Sequence, residues 1–246
     1  MGGMRLPFQR SIERRRIRRA LSPDVRARLA AVRSRSRERA REDRTSAAGL
    51  LSLARFVAMD LETTGPNMMS DRIISIGGVA VAERAVQHGD AFEIVVRQAS
   101  ESRVDNILIH RSGGQEQRAG AEPVGALLSF LEYLDGSIAV AFRAEFDTTV
   151  LRRELQGSLG IRVRTRFLDL AGILPALFPN TQNDTLDDWT LHFGLPPIGR
   201  HHAIADAYAN AQLLLLVLEK AQRIGLVTAA DMLKLEKSQR WLGRRR

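Results

Sequence analysis

The sequence predicts an α/β domain built on a mixed β-sheet. Three apolar segments rich in β-branched residues follow one another between residues 55 and 96, and two more alternate with helical patterns between residues 137 and 224. Strands in hairpin succession, followed by strands that alternate with helices, are typical of a mixed sheet with helices packed on its faces. The 246 residues are enough for one such domain with an appendage.

The first half of the domain contains three predicted strands and a helix. The first strand is expected at residues 55–61, where an apolar run ends in an acidic turn. The second and third are expected at residues 72–81 and 91–96, with a turn at Gln87–Asp90 between them, because glycine and aspartate favour turns. Residues 122–134 have apolar positions at helical spacing behind a proline, which indicates a helix.

The second half alternates strands with helices. The apolar run before the acidic helix start at Glu145 predicts a strand. Gly194 ends the helix predicted at residues 185–193. In chain order, the predicted elements are a strand at 137–142, a helix at 145–156, a strand at 166–170, and helices at 185–193, 204–224 and 229–238.

Composition limits the chemistry and the setting. No cysteine is present, which excludes disulfides, thiolate metal sites and cysteine nucleophiles, and fits a reducing compartment. The longest apolar run, at residues 213–218, is too short to cross a bilayer. No apolar segment of a secretory signal follows the first charges. We therefore expect a cytoplasmic protein with no membrane partner.

The positive charge is confined to an N-terminal arm, residues 1–46. The arm holds 15 Arg and 5 acidic residues, a net charge of +10, whereas the remaining 22 basic and 23 acidic residues give −1. Ser22, Pro23 and Asp24 form a helix start and predict a helix from Pro23 to about Arg41. Two interpretations of the arm are a solvated, partly disordered tail and an arm that binds phosphates. A third is an organelle transit peptide, but the acidic residues of the arm count against it. The expected organisation is arm 1–46, main domain 47–225, and a C-terminal helix with a basic tail, 226–246.

Paired carboxylates at the end of the first strand indicate a metal site. Asp60 and Glu62 lie two residues apart, so on a strand they point to the same face. Two adjacent carboxylates repel unless a cation lies between them, and hard oxygen ligands favour Mg²⁺ or Mn²⁺.

Further candidates occur at two helix starts. Asp147 lies in the first turn of the helix after the fourth strand, where an acid also complements the helix dipole. His201 and Asp206 open the longest helix, and alanines at 203, 205, 207 and 209 would let that helix lie close to the sheet.

Three segments together resemble the motifs of the DnaQ-like (DEDDh) 3′→5′ exonucleases, the family of the epsilon proofreading subunit of bacterial DNA polymerase III. Residues 60–65 (DLETTG) resemble the first motif and residues 140–147 (VAFRAEFD) the second, and His201 with Asp206 is similar to the third. The resemblance covers roughly residues 55–220. It implies a ribonuclease H-like fold, a mixed five-stranded sheet flanked by helices, here with a basic N-terminal helical arm.

The resemblance also implies a mechanism, in which two Mg²⁺ or Mn²⁺ ions promote phosphodiester hydrolysis and release nucleoside 5′-monophosphates. Asp60 would bridge both ions, Glu62 and Asp206 would complete the first site, and Asp147 would support the second. His201 would be the general base.

Substrate contacts are expected from five residues. Thr63 and Thr64 would lie beside the terminal nucleotide, and His110 stands where many members of the family touch substrate. Phe142 and Arg143 replace the usual His-Asn pair; Phe142 would stack on a base or merely end a buried strand, and Arg143 would meet a phosphate.

Three functions are compatible with this reading. The first is an exonuclease on single-stranded DNA ends, and the second is trimming of RNA 3′ ends. The third is a non-catalytic nucleic-acid-binding module, against which the intact set of carboxylates and His201 argues. The oligomeric state and association with a DNA polymerase stay open.

Overall fold

The computed structural model describes residues 7–45, 49–98, 119–162, 165–179, 181, 183–195, 199 and 201–243. In chain order, its elements are α1 (Pro7–Ala20), α2 (Pro23–Thr45), β1 (Phe56–Thr63), β2 (Ile73–Ala82), β3 (Ala85–Val95), α3 (Pro123–Leu134), β4 (Ile138–Ala141), α4 (Glu145–Leu159), β5 (Phe167–Asp169), α5 (Leu170–Leu177), α6 (Leu186–His192), α7 (Ala203–Arg223) and α8 (Ala229–Gly243). No helix within these ranges is both long and apolar enough to cross a lipid bilayer.

The five strands form one mixed sheet in the order β3-β2-β1-β4-β5. β1, β2 and β3 pair antiparallel, whereas β1, β4 and β5 run parallel. The predicted five-stranded mixed sheet is therefore confirmed. Helix α5 was not predicted, because its eight residues contain a glycine and a proline and follow β5 without a loop.

The hairpin turn between β2 and β3 differs from its prediction. Residues 87–90, predicted as the turn, lie within β3. The chain reverses instead at Glu83 and Arg84, which both have positive φ angles, 50° and 62°. A two-residue hairpin loop needs this geometry, which Asn-Gly usually supplies, so Glu-Arg gives no turn signal in the sequence.

The sheet separates two apolar cores. Phe56 and Ala58 on β1 pack in one core with α5 and α7, whereas Val57, Met59 and Leu61 pack in the other with α3 and α4. Side chains alternate along a strand. The next positions on the first face are Asp60 and Glu62, which therefore project on the side of α7.

The helix predicted in the basic arm is confirmed as α2, which docks on α3. The Ser22 hydroxyl accepts the Val25 N–H, as expected of a capping residue. On α3, Glu132 accepts two hydrogen bonds from Arg28, at 2.8 and 2.7 Å. Asp135 accepts from Arg35 and Arg39. Burial acts to raise the pKa of Asp135, but hydrogen bonds from Arg35 and Arg39 lower it below its ordinary value.

Helix α7 lies unusually close to the sheet. A Cβ added at Gly77 on β2 would lie 2.2 Å from the carbonyl carbon and oxygen of Ala203 at the start of α7. Two helical turns further along, the fully buried Asn210 side-chain amide donates to the Met59 carbonyl of β1 at 3.0 Å. Gly77 and Asn210 thus set the distance between α7 and the strands that carry the acidic residues.

Replacing Gly77 by alanine is expected to destabilise the fold by about 1–3 kcal/mol or more, because the added methyl group meets backbone that cannot rotate away. Gly157→Ala is the matched control, since Gly157 is exposed inside α4 and its Cβ would meet no atom within 4 Å. That change should stabilise the helix by up to about 1 kcal/mol. Urea unfolding of both variants measures the difference, and equal stabilities would contradict the close approach.

Candidate active site

Strand β1 supplies two carboxylates at an open end of the sheet. Its parallel pairing with β4 ends at Ala58 opposite Val140, so Asp60 and Glu62 lie beyond the last paired residues on that side. On the other side Asp60 stands opposite Gly77 of β2. Asp60 is partly exposed, whereas the Glu62 residue is only 6% exposed.

Helix α7 brings a third carboxylate to this point. Asp206 lies in the first turn of the helix, is buried, and accepts the backbone N–H of His201 at 3.3 Å. Carboxylate oxygens of Asp60, Glu62 and Asp206 all lie within 4.8 Å of one another. Three hard oxygen donors at such separations suit a divalent cation of the Mg²⁺ or Mn²⁺ type.

Asp147, on α4, lies beside this group but is not one of the three acids whose oxygens lie within 4.8 Å of one another. Its carboxylate is buried and accepts hydrogen bonds from its own N–H and from the N–H of Leu61, the residue between the two acids of β1. Burial is the main cause that raises the pKa of Asp147 to about 7, and the charges of Asp169 and Glu62 add to it. A cation beside Asp147 would oppose both effects, so the arrangement fits a metal site.

Asp169, at the end of β5, is a further acid near Asp147, and the sequence analysis did not single it out. Its carboxylate accepts backbone N–H groups from Arg143 and Ala144, immediately before α4, and from Ala171 in α5. Burial raises its pKa above the ordinary value. Asp169 therefore fixes the turn from which α4 presents Asp147. An aspartate before a helix is a capping signal, but its contact with α4 depends on the pairing of β4 with β5.

His201 stands at the exposed rim of the cluster. The residue is exposed and has a positive φ of 64°, and its N–H is directed at Asp206. His202, also exposed, has Nδ1 3.8 Å from Glu93 on β3. The backbone contact ties His201 to the metal-ligand candidate, and its imidazole remains accessible to solvent.

The two threonines after β1 build the turn that follows. Thr63 is buried and its hydroxyl donates to the Gly65 carbonyl at 2.8 Å. The Thr64 hydroxyl accepts the Arg72 N–H at 3.0 Å and donates to Asp71 at 3.2 Å. Their role as substrate contacts stays a prediction.

The other three expected substrate contacts are Phe142, Arg143 and His110, and their role also stays a prediction. Phe142 is half-buried against the core on the α7 side of the sheet, as expected of a residue that ends a strand. Arg143 is exposed, with a positive φ of 56°, and donates to the Asp184 carbonyl at 3.0 Å. His110 lies outside the described residues.

Comparison with known proteins gives the family. The profile of an exonuclease family, RNase T, matches residues 57–214, more than half of the chain. A PolC-type DNA polymerase III from Thermotoga maritima is 30% identical over 185 residues, which are 74% of this chain but 13% of the relative. The DNA polymerase III subunit epsilon of Buchnera aphidicola is 29% identical over 175 residues, 66% of this chain and 72% of the relative.

Among solved structures, exonuclease I of E. coli in complex with a dT13 oligonucleotide is similar, with a TM-score of 0.60 and 20% identity. The similarity covers 70% of this chain and 42% of that chain, and at this identity it supports the fold alone. The described fold has the mixed sheet and flanking helices expected of the ribonuclease H-like class. Because the profile matches more than half of the chain, the chain belongs to the exonuclease family, and its relatives place it among the DnaQ-like members.

Proposed function

We propose that this protein removes nucleoside 5′-monophosphates from the 3′ ends of single-stranded DNA, with two bound Mg²⁺ or Mn²⁺ ions and His201 as the general base. The observation that carries the proposal is the convergence of the Asp60, Glu62 and Asp206 carboxylates. The Asp147 carboxylate lies beside them and accepts a hydrogen bond from the backbone N–H of Leu61, the residue between Asp60 and Glu62. Burial of Glu62, Asp147 and Asp206 and the repulsion among the carboxylates both cost free energy, and a bound cation would offset both costs.

The four carboxylates would form two sets of ligands that share Asp60. Asp60, Glu62 and Asp206 would hold one ion, and Asp60 with Asp147 would hold the other. When bound, such ions stabilise charge on the phosphate oxygens and make a water molecule a better nucleophile near neutral pH.

His201 would take the proton from the attacking water. Its exposed imidazole can exchange that proton with solvent, and its backbone bond to Asp206 keeps it beside the ligand set. Asp169 would act through Asp147, because it bonds the backbone from which α4 starts.

Names of similar proteins support DNA as the polymer. Exonuclease I is described in complex with a DNA oligonucleotide, and several relatives are DNA polymerase III proteins. The chain spans only 12–13% of the first PolC-type relatives, so association with a polymerase is a separate proposal.

Loss of Asp60 is expected to abolish the activity. A 5′-labelled single-stranded DNA should give a ladder that shortens from the 3′ end in Mg²⁺ or Mn²⁺ and not in EDTA. Asp60→Asn should reduce the rate on the order of 10³-fold or more, because several kcal/mol of charge stabilisation disappear. Asp187→Asn, at an exposed acid on α6, should keep wild-type activity.

The matching RNA strand is assayed beside the DNA. Faster degradation of RNA would contradict DNA as the substrate, and no metal-dependent degradation of either strand would contradict the enzymatic proposal.

The stability of the metal-free protein is expected to depend on Asp147. Its folded-state pKa of about 7 lies above the value of about 3.9 for an unfolded chain. Its contribution to stability is therefore complete below about pH 4 and is lost as the pH rises to about 7. In EDTA, the Tm of the wild type should therefore fall relative to that of Asp147→Asn as the pH rises over this range. Each kcal/mol of lost stability corresponds to roughly 2–4 °C in Tm.

Mn²⁺ at pH 8 should raise the Tm of the wild type more than that of Asp147→Asn. Melting curves that shift in parallel with pH for both proteins would show that Asp147 does not titrate in this range.

His201→Asn should lower the turnover rate by about 10²–10⁴-fold while the Tm increase caused by Mn²⁺ persists, because a general base is lost and the ligands remain. His202→Asn, at the adjacent exposed histidine, is the control and should retain activity. Equal loss in both variants would exclude His201 as the base.

A further inference from the structure

Helix α2 carries two rows of arginine with the same spacing. Arg28, Arg35 and Arg39 form the first row, and all three bond carboxylates of α3. This row neutralises Glu132 and Asp135 and attaches the arm to the domain. Its charge is therefore used within the fold.

The second row precedes the first by two residues and faces solvent. Arg26, Arg33 and Arg37 repeat the spacing of seven and four residues, so they share one side of the helix. All three are exposed, and within the described part of the chain their guanidinium groups form no ion pair.

This second row borders a continuous groove. One cavity of about 480 Å³ lies between α2, the end of α3 and the segment after α4, and a second of about 420 Å³ lies between α1 and α2. Leu29, Arg33 and Ile161 line both cavities and join them. The arginines that line the groove are Arg15, Arg18, Arg19, Arg26, Arg33, Arg37, Arg162 and Arg166.

The chemistry of the groove favours phosphate. The arm contains arginine and no lysine, and the planar fork of a guanidinium matches two phosphate oxygens. Arg166 is already paired with Asp43, but Arg162, on the opposite wall, is exposed like Arg33 and Arg37. A row of exposed cations on one wall, with a further cation across from it, suits a repeating polyanion.

The groove lies at the end of the domain away from the carboxylates. Helix α4 carries Asp147 in its first turn and ends before Gly160, where a Cβ would lie 2.5 Å from the Arg14 carbonyl oxygen of α1. The helical rise between residues 147 and 159 is about 18 Å. A strand whose 3′ end is at Asp60 could therefore reach the groove only with nucleotides well upstream of that end.

We propose that the α1–α2 groove binds the sugar-phosphate backbone of the nucleic acid upstream of the 3′ end that is cut. The identity of the polymer rests on the proposed function. The groove adds a second anchor, so long strands bind more tightly than short ones while the reaction at the carboxylates is unchanged.

The test compares two double variants that lose the same charge, both in an Asp60→Ala background in EDTA. Arg33→Gln with Arg37→Gln removes two groove arginines, whereas Arg16→Gln with Arg84→Gln removes two exposed arginines that line neither cavity. Fluorescence anisotropy measures the affinity for single-stranded DNA of about 30 nucleotides and of about four nucleotides at several salt concentrations.

For the long strand, the slope of log K against log salt should fall by about 1.4 in the groove variant, from about 0.7 for each lost phosphate contact. The control variant should keep the wild-type slope, and the short strand should bind all proteins alike. Equal slopes in the two double variants would overturn the proposal. They would indicate that the groove binds an acidic protein instead of nucleic acid.

An equal loss on short and long strands would also overturn it, because the arginines would then act on the whole fold. Turnover is measured separately with Asp60 intact. If no nucleic acid is degraded, the proposed function fails, yet the binding slopes still decide the role of the groove.

Discussion

The close contact between the start of α7 and strand β2 is the constraint on which the site depends. Asp60 and Asp206 are far apart in the sequence, and they meet because Gly77 leaves room for the Ala203 backbone to lie directly on the sheet. Two turns along α7, the Asn210 amide donates to the Met59 carbonyl, one residue before Asp60. A side chain at position 77 would force the start of α7 away from β2, and Asp206 would move with it.

Bringing these carboxylates together costs electrostatic free energy. Glu62, Asp147 and Asp206 are almost fully buried, and Asp169 lies behind them, so the metal-free site gathers like charges in a region of low polarity. Backbone N–H groups from Leu61 and Ala144 offset part of the cost, yet the pKa of Asp147 stays near 7 because of burial. The site is thus stable enough to form but is organised for positive charge, a common compromise at functional sites.

What the sequence could predict follows from local periodicity. Alternation on a strand was enough to pair Asp60 with Glu62. Asp206, at a helix start, was singled out only in combination with these acids and through the resemblance to the exonuclease motifs. Asp169 and Asn210 were missed, because their roles depend on which strand neighbours which and on how closely a helix lies, neither of which is encoded by spacing. The turn at Glu83 and Arg84 was missed since neither residue type favours positive φ.

Screening decides how a basic arm can serve an acidic site. At physiological salt the Debye length is about 8 Å, whereas the helical rise of α4 from Asp147 to its end beside α1 is about 18 Å. The arginines of the arm therefore offset little of the repulsion that the carboxylates exert on a phosphate. They can act only by touching another part of the same polymer, which requires the arm to be held in place. Arg28, Arg35 and Arg39 supply that attachment through Glu132 and Asp135, so the arm uses one row of charge for position and leaves the other for contact.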